Sequence, residues 1–433
     1  MTTEAAYPPQ AGDVLELTAG EVVHGGWCVC RQDDTGRVIF VRHALPGERV
    51  LATVTQSTAR FARADATRIL RPSPDRVTPP CRYARPGGCG GCDWQHASLP
   101  AQRALKAAVI RQQLSRIGGI DADVEVQGLD DEHGLGWRTV VSFAVGTSGR
   151  AGLRKHRSHE IVEIDRCLIA HDEVAAVDVT GKLWPKVQSA EVSVAPATGQ
   201  RGVLVTGSAT ADALPELAAD SVQLERKSGA RTPVRGSGYL TQRAAGRDWR
   251  VSLGGFWQVH PAAADVLAAA VLQAAEPQPG DTALDLYCGA GLFAGVLAEA
   301  VGPEGAVIAI EQDPAAVRDA RRNLRAWPQA QVHRGDAGAV LTQAGLGGAR
   351  VAVLDPPRAG ASRQVIDALC GSDMGTRSGG QLRRIAYVSC DPATLARDLR
   401  LLLDAGWQLA GLRGYDAFPM THHVECLATL VRA

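Results

Sequence analysis

The residue with the clearest chemistry is Cys390, at the end of the apolar run Ile385-Ala-Tyr-Val-Ser389-Cys390-Asp391-Pro392. Asp391 has the type of a helix N-cap and Pro392 that of a first helical residue. The spacing therefore predicts that Cys390 sits just ahead of a helix whose positive end favours a thiolate, a nucleophile for electrophilic carbon. A second set of thiols has ligand spacing. Cys81, Cys89 and Cys92 form C-x7-C-x2-C among glycines, and Cys167 lies 75 residues beyond Cys92. Four such thiolates can hold zinc or a [4Fe-4S] cluster, and the spacing leaves both open.

A third constellation is a glycine turn. Ala283-Leu-Asp285-Leu-Tyr287-Cys-Gly289-Ala-Gly291-Leu-Phe293 reads as a strand, a turn that lets backbone approach a ligand, and a helix. Glu311 closes the next apolar strand, twenty residues after Gly291, where a carboxylate can hold a ribose diol. The phosphate-cradling G-x-G-x-x-G is absent, and an acid precedes the glycines. Adenosine with a positive amino and sulfonium centre fits this turn better than a dinucleotide does, which points to S-adenosylmethionine. Asp336 follows the third strand, where adenine contacts are expected, although an exposed turn aspartate has the same pattern.

These residues need elements to position them. From Asp13 to Leu70, short extended segments broken by Gly25-Gly26, Asp33 to Gly36 and Pro46-Gly47 predict a small β-barrel. Residues 60 to 85 carry seven arginines with Phe61 and Tyr83 interleaved, a pattern suited to single-stranded RNA or to a solvated Pro-rich linker. A helix is expected from Ser98, its N-cap, to the stop at Gly118-Gly119. Strands follow between Gly136 and Cys167, where Arg138, Arg150, Arg154, Lys155 and Arg157 stand without an acid between Trp137 and His159. Residues 175 to 250 look β-rich. From Pro261 strand and helix patterns alternate, which predicts a doubly wound α/β sheet, with Asp355 of Asp355-Pro-Pro-Arg358 and Cys390 ending its fourth and fifth strands.

The N-terminal words Gly25-Gly26, Val38-Ile39-Phe40-Val41 and Leu45-Pro46-Gly47-Glu48-Arg49-Val50 resemble a TRAM domain, an OB-like barrel attached to RNA-modifying enzymes. Phe256-Trp-Gln258, Asp285-Leu-Tyr-Cys-Gly, Asp355-Pro-Pro-Arg, Ser389-Cys-Asp-Pro and Phe418-Pro419 to Val424-Glu425-Cys426 occur in the order seen in the class I RNA uridine-5-methyltransferases, which the chain resembles over nearly its whole length. His260 and Leu292 depart from the family pattern. The resemblance implies methyl transfer from S-adenosylmethionine to carbon 5 of a uridine in RNA, 23S rRNA before tRNA. It implies Cys390 as nucleophile and Glu425 as base, with Gln258, Tyr287, Glu311, Asp336 and Asp355 lining the cofactor pocket. It further implies a [4Fe-4S] cluster on Cys81, Cys89, Cys92 and Cys167, with zinc as the lesser choice. A catalytically silent RNA-binding iron–sulfur protein and a cytosine C5 methyltransferase are the alternatives. The His422-His423 pair suggests a metal, but on a strand adjacent residues face opposite sides.

Length and composition agree with this layout. At about 150 residues per domain, 433 residues make about three domains. The expected division is a TRAM/OB-like barrel (1–72), a β-rich central domain with the cysteine cluster (73–255) and a Rossmann-like α/β methyltransferase domain (256–433). With 45% hydrophobic and 21% charged residues, a wholly disordered or collagen-like chain is excluded. The 46 basic residues balance 46 acidic ones, so a uniformly basic nucleic-acid coat is excluded as well. Only five of the basic residues are lysine; arginine's planar fork suits phosphate and base edges, though genomic base composition explains the bias equally well. The start lacks a basic-then-apolar signal, and no run of about 18 apolar residues occurs, so a cytoplasmic monomer with no membrane contact and mostly reduced cysteines is expected.

Overall fold

The computed structural model describes residues 9–32, 36–129, 133–344, 348–371 and 382–432. Six strands build the N-terminal barrel in the order Val14–Thr18, Arg49–Ser57, Phe61–Arg71, Val38–Arg42, Trp27–Arg31, Val22–Val23. Alternation explains it: Val50, Ala52 and Val54 on one strand and Ala62, Ala64 and Ala66 on the next point into a common core with Ile39 and Val41. The arginine-rich stretch is thus a strand in its first half, and Arg63, Arg68 and Arg71 stand outside that core.

The centre is a seven-stranded sheet with Val187–Ala195 and Gln200–Gly207 in its middle, over a core that includes Val141, Trp184, Val192, Val203 and Val205. A separate hairpin, Tyr239–Ala244 with Arg247–Ser252, leads into the C-terminal part.

There an eight-stranded sheet runs in the order Ala330–Arg334, Ala306–Glu311, Thr282–Leu286, Ala349–Leu354, Arg384–Ser389, Glu425–Val431, Gln408–Asp416, Val126–Gly128. Glu425–Val431 is antiparallel to both neighbours, while the other pairings are parallel. Successive residues of the central strands enter different cores: Ala352 and Leu354 pack toward Leu395 and Leu399, Val351 and Val353 toward Leu267 and Val271. Burial on both faces is why these strands read as unbroken apolar runs. The order reverses between Thr282–Leu286 and Ala349–Leu354, and at such a switch point the strand ends open a crevice.

The helix Leu99–Gln113 starts as expected, with the Ser98 hydroxyl accepting the Ala101 N–H at 3.4 Å, and ends through a π turn, Leu114–Gly118, at Gly119 with φ 65°. It packs on the α/β sheet, not on the central one, and the strand Val126–Gly128 joins that sheet's edge. Its fully buried Lys106 pairs with the fully buried Asp416 and donates to the Phe418 carbonyl at 2.9 Å. Among the described residues no helix is long and apolar enough to cross a membrane.

Candidate active site

Two neighbouring strands bring the proposed nucleophile and base together. Arg384–Ser389 pairs antiparallel with Glu425–Val431, Ser389 opposite Cys426. Carried one residue further, that register sets Cys390 across from Glu425. Asp391 caps the next helix, Pro392–Asp404, accepting from the Ala393 and Thr394 amides at 3.0 Å each. Its other oxygen meets His24 Nε2 of the barrel at 3.2 Å. Burial raises the Asp391 pKa, but His24 and these amides outweigh it and bring the carboxyl down to about 2.

The helix-end argument for a resting thiolate does not survive the full surroundings. Burial, with Glu425, Asp355 and Asp391 close by, pushes the Cys390 thiol up to about 12, against the pull of Arg358. The helix end acts locally, whereas desolvation and three carboxylates act together. Glu425 is buried, its Oε1 has no hydrogen-bond partner, and its pKa lies well above the carboxylate range through burial and the Asp355 charge. Asp355 is raised too, by burial. Cys390, Glu425 and Asp355 thus form one proton-rich, charge-coupled group beside Arg358.

The cofactor-type cleft lies at the switch point. Tyr287, Gly289 and Gly291 take φ of 68°, 54° and 93°, a left-handed turn that glycine adopts without strain and that lets a ligand come close to the backbone at Gly289 and Gly291. Glu311 spans the two strand tips, accepting the Gly289 amide at 3.0 Å and the Gln312 and Asp313 amides at 2.7 Å each. Asp336 is exposed and accepts the Ala339 amide at 3.0 Å, so it caps a helix while its charge reaches Tyr287. Tyr287 Oη accepts the Ser362 amide at 3.5 Å. Asp285 is fully buried and neither of its oxygens meets hydrogen-bond geometry, the nearby Ala294 amide included. The turn's own amides are used internally, Tyr287 and Cys288 donating to the Ile310 carbonyl at 2.9 and 3.0 Å and Gly291 to the Cys288 carbonyl at 2.8 Å. It is therefore the carboxyl groups of Asp285, Glu311 and Asp355 gathered around the turn that fit a ligand bringing a positive amino group and a diol. Gln258 is buried on the extended stretch before the helix Ala263–Ala275 and, among the described residues, makes no hydrogen bond to this group.

Burial, with Asp355 and Glu311 behind it, moves the Asp285 pKa from near 4 up to about 8. The folded chain therefore holds this proton more tightly than the unfolded chain. The stability contributed is complete below pH 4 and is lost as the pH climbs to about 8. Asp285→Asn removes that slope, so the gain in melting temperature over wild type should be larger at pH 9 than at pH 5, while S-adenosylmethionine binding weakens. Thermal scans at both pH values check it; equal shifts would show that Asp285 ionises normally.

Three contacts that the sequence did not disclose hold the site. Asp93, directly after Cys92, binds Arg42 of the barrel at 3.3 Å and takes His422 twice, at the amide (3.1 Å) and at Nδ1 (2.6 Å). The Asp93 and Trp94 amides donate to the Met420 carbonyl at 2.9 and 3.0 Å. The cysteine loop thereby grips the segment that leads into Glu425. His422 and His423 lie in that loop, not on a strand, with ring centroids 4.1 Å apart, so the opposite-faces argument does not apply. Burial brings His423 down to about 3, and its neutral Nε2 sits 3.3 Å from Arg358 Nη2. On the other side Asp398 takes Tyr387 Oη at 2.6 Å and the Ala361 amide at 2.9 Å, which pins the loop that carries Arg358. His24 on Asp391 is the third contact.

Cys81, Cys89, Cys92 and Cys167 all line one cavity of about 300 Å³ between the cysteine loop and the central sheet. All four are free thiols, and their charges are mutually coupled. Among the described residues, no three His, Cys, Asp or Glu side chains close around a single ion.

Comparison with known proteins follows the same layout. Residues 10–67 match the TRAM domain, residues 348–433 match tRNA (Uracil-5-)-methyltransferase, and residues 257–343 match Protein-L-isoaspartate(D-aspartate) O-methyltransferase. RNA methyltransferases of Streptomyces coelicolor and Streptomyces avermitilis are each 46% identical over 435 residues, covering 97% of this chain and 93% and 98% of theirs. One from Bifidobacterium longum is 33% identical over 459 residues and covers 99% of both chains. The solved tRNA (uracil-54, C5)-methyltransferase of Pyrococcus abyssi, in complex with S-adenosyl-L-homocysteine, superposes with a TM-score of 0.69 at 22% identity, covering 96% of this chain and 100% of that one, which establishes the shared fold. With that fold, with relatives matched almost end to end and with the strands bearing Cys390 and Glu425 inside the uracil-5 match, the chain belongs to the RNA (uracil-5-)-methyltransferase family.

Proposed function

We propose that the protein transfers a methyl group from S-adenosylmethionine to carbon 5 of a uridine in 23S rRNA, through a covalent bond between Cys390 and carbon 6. The observation that carries this reading is the convergence of Cys390, Glu425, Asp355 and Arg358 at one sheet edge, beside the glycine turn. S-adenosylmethionine, when bound, supplies a methyl group on a positively charged sulfur. Gln258, Tyr287, Glu311, Asp336 and Asp355 are the residues that would hold it, with the buried Asp285 behind them.

Carbon 5 of uracil is a weak nucleophile. Addition of the Cys390 sulfur at carbon 6 turns the ring into an enolate whose carbon 5 can attack a methyl group. Arg358 lies beside Cys390, where its charge favours the thiolate. Once carbon 5 carries the methyl, Glu425 takes the carbon 5 proton, the ring double bond re-forms and the Cys390 sulfur leaves. The strands fix sulfur and carboxylate against one ring, and such alignment can contribute roughly 7–11 kcal/mol. The target uridine must be unpaired or flipped to reach this edge. The barrel (1–72) and the central region (73–255), with its basic stretch around Arg154 and Arg157, are assigned to holding the RNA.

A substrate carrying 5-fluorouridine tests the proposal, since fluorine cannot leave as a proton does. Wild-type protein with S-adenosylmethionine and such RNA should give a complex that survives a denaturing gel; its absence with every uridine-bearing RNA tried would overturn the covalent mechanism. The target itself is tested by mapping methylated uridines in RNA from cells with and without the protein. Loss of a site in 23S rRNA supports the proposal, and loss in tRNA instead would follow the name of the matching family model.

For the cysteine cavity we propose a [4Fe-4S] cluster on Cys81, Cys89, Cys92 and Cys167. What supports the reading is that all four thiols line one cavity of about 300 Å³, thiolate being a ligand for iron–sulfur clusters. Anaerobically purified protein should contain iron and acid-labile sulfide. Stoichiometric zinc alone would sink the assignment.

A further inference from the structure

Between the barrel and the helix Leu99–Gln113 lies a cleft of about 790 Å³ that the chemistry above does not use. Its volume is within the roughly 300–1,000 Å³ of ligand-binding clefts. One wall carries Glu21, His24, Arg31 and Phe40 of the barrel, the other Gln112 and Arg116. Gln112 donates to the Val22 carbonyl at 3.5 Å, while its Oε1 is buried without a hydrogen-bond partner, an acceptor awaiting a donor. Arg31 and Arg116 are exposed guanidiniums on opposite walls, and the Phe40 ring is half-exposed. His24 links the cleft to the reaction centre, because it lines the cleft and also touches Asp391, the neighbour of Cys390.

We infer that this cleft takes one or two unpaired nucleotides next to the target uridine, along the same RNA strand. A base would lie on Phe40 with a ring N–H or amino group on Gln112 Oε1. Phosphates would meet Arg31 and Arg116, and Glu21 would accept a ribose 2′-hydroxyl, a contact RNA offers and DNA lacks. Position favours this occupant, because His24 lines the cleft and meets Asp391, the neighbour of Cys390, at 3.2 Å, and the walls carry one acid against two arginines and a histidine. This inference rests on the proposed RNA reaction, so its test has two arms.

In the first arm, the RNA fragment bearing the mapped uridine is made with 5-fluorouridine at that position, with and without its flanking single-stranded nucleotides. Wild-type protein should bind the longer form about 10-fold more tightly or better, as stacking one base predicts. Phe40→Ala, Arg31→Ala and Gln112→Ala should each lose most of that gain while binding the shorter RNA with close to wild-type affinity, and a cooperative thermal transition in each variant shows that it is folded. In the second arm, an oligouridine of about 12 nucleotides, which needs no target, should bind each variant several-fold more weakly than wild type. An equal gain from the flanking nucleotides in wild type and variants, or no gain in wild type, overturns the inference. Failure of wild type to form any covalent complex overturns the proposed reaction instead, and the oligouridine arm then decides the cleft alone.

Discussion

Cys390→Ala is expected to lower methyl transfer by on the order of 10⁴-fold or more and to remove the covalent complex with 5-fluorouridine RNA, while RNA and S-adenosylmethionine still bind. No neighbouring group can take over. Cys426 is fully buried within its strand, and the Ser389 hydroxyl is engaged with the Asp391 backbone at 3.2–3.3 Å. With the thiol pushed up to about 12 by burial and the nearby carboxylates, Cys390 in the free protein is held almost entirely as thiol at pH 7. The rate of complex formation in wild type should therefore rise with pH across the neutral range, as the fraction of thiolate rises. The binding of a cation near Asp355 would offset the carboxylates that hold the thiol protonated, so the rise should begin at lower pH with saturating S-adenosylmethionine than without it. Rapid-quench gels over a pH series read both effects. A denaturant-stable complex in Cys390→Ala would exclude this sulfur as the nucleophile.

What the sequence disclosed about this site, and what it withheld, divides by the range of the forces involved. The Asp391 cap, the glycine turn with its positive φ angles and the acid at the tip of Ala306–Glu311 are local patterns, and each stands in the structure where residue type and spacing placed it. The alternation of the barrel strands and the unbroken apolar runs of the α/β strands are local as well. Contacts set by topology were not legible. Asp93 and His422 are 329 residues apart, and Lys106 and Asp416 are 310 apart. Nothing about Asp93 except its place beside Cys92 marks it as the residue that ties the barrel, the cysteine loop and the loop before Glu425 together. The charge state of Cys390 is not legible in the sequence for the same reason. A helix start is visible in a line of letters, whereas burial and the approach of Glu425 and Asp355 require the fold.

Glu425→Gln should separate the two halves of the reaction. The substitution keeps the side chain's size and removes its ability to take a proton, so addition of Cys390 and methyl transfer can proceed while release from the enzyme slows by roughly 10²–10⁴-fold. Methylated RNA bonded to Cys390 should then accumulate on ordinary uridine substrate, visible on a denaturing gel without any fluorine. The pH profile carries further information, because Glu425 and Asp355 are both raised and hold protons that free carboxylates would have lost. Release in wild type should accelerate as the pH rises through the raised value of Glu425, the sign expected of a base that must first be emptied, and the variant should lack that rise. The same raised pKa means that wild-type folding stability falls as the pH climbs from the ordinary carboxylate range to the raised value. Glutamine removes that penalty, so the variant should be relatively more stable at pH 8 than at pH 5, and a slow release in a protein that gains stability cannot be assigned to unfolding. Undiminished turnover of Glu425→Gln would remove Glu425 from the mechanism and leave Asp355, its charge-coupled neighbour, as the carboxylate to test next.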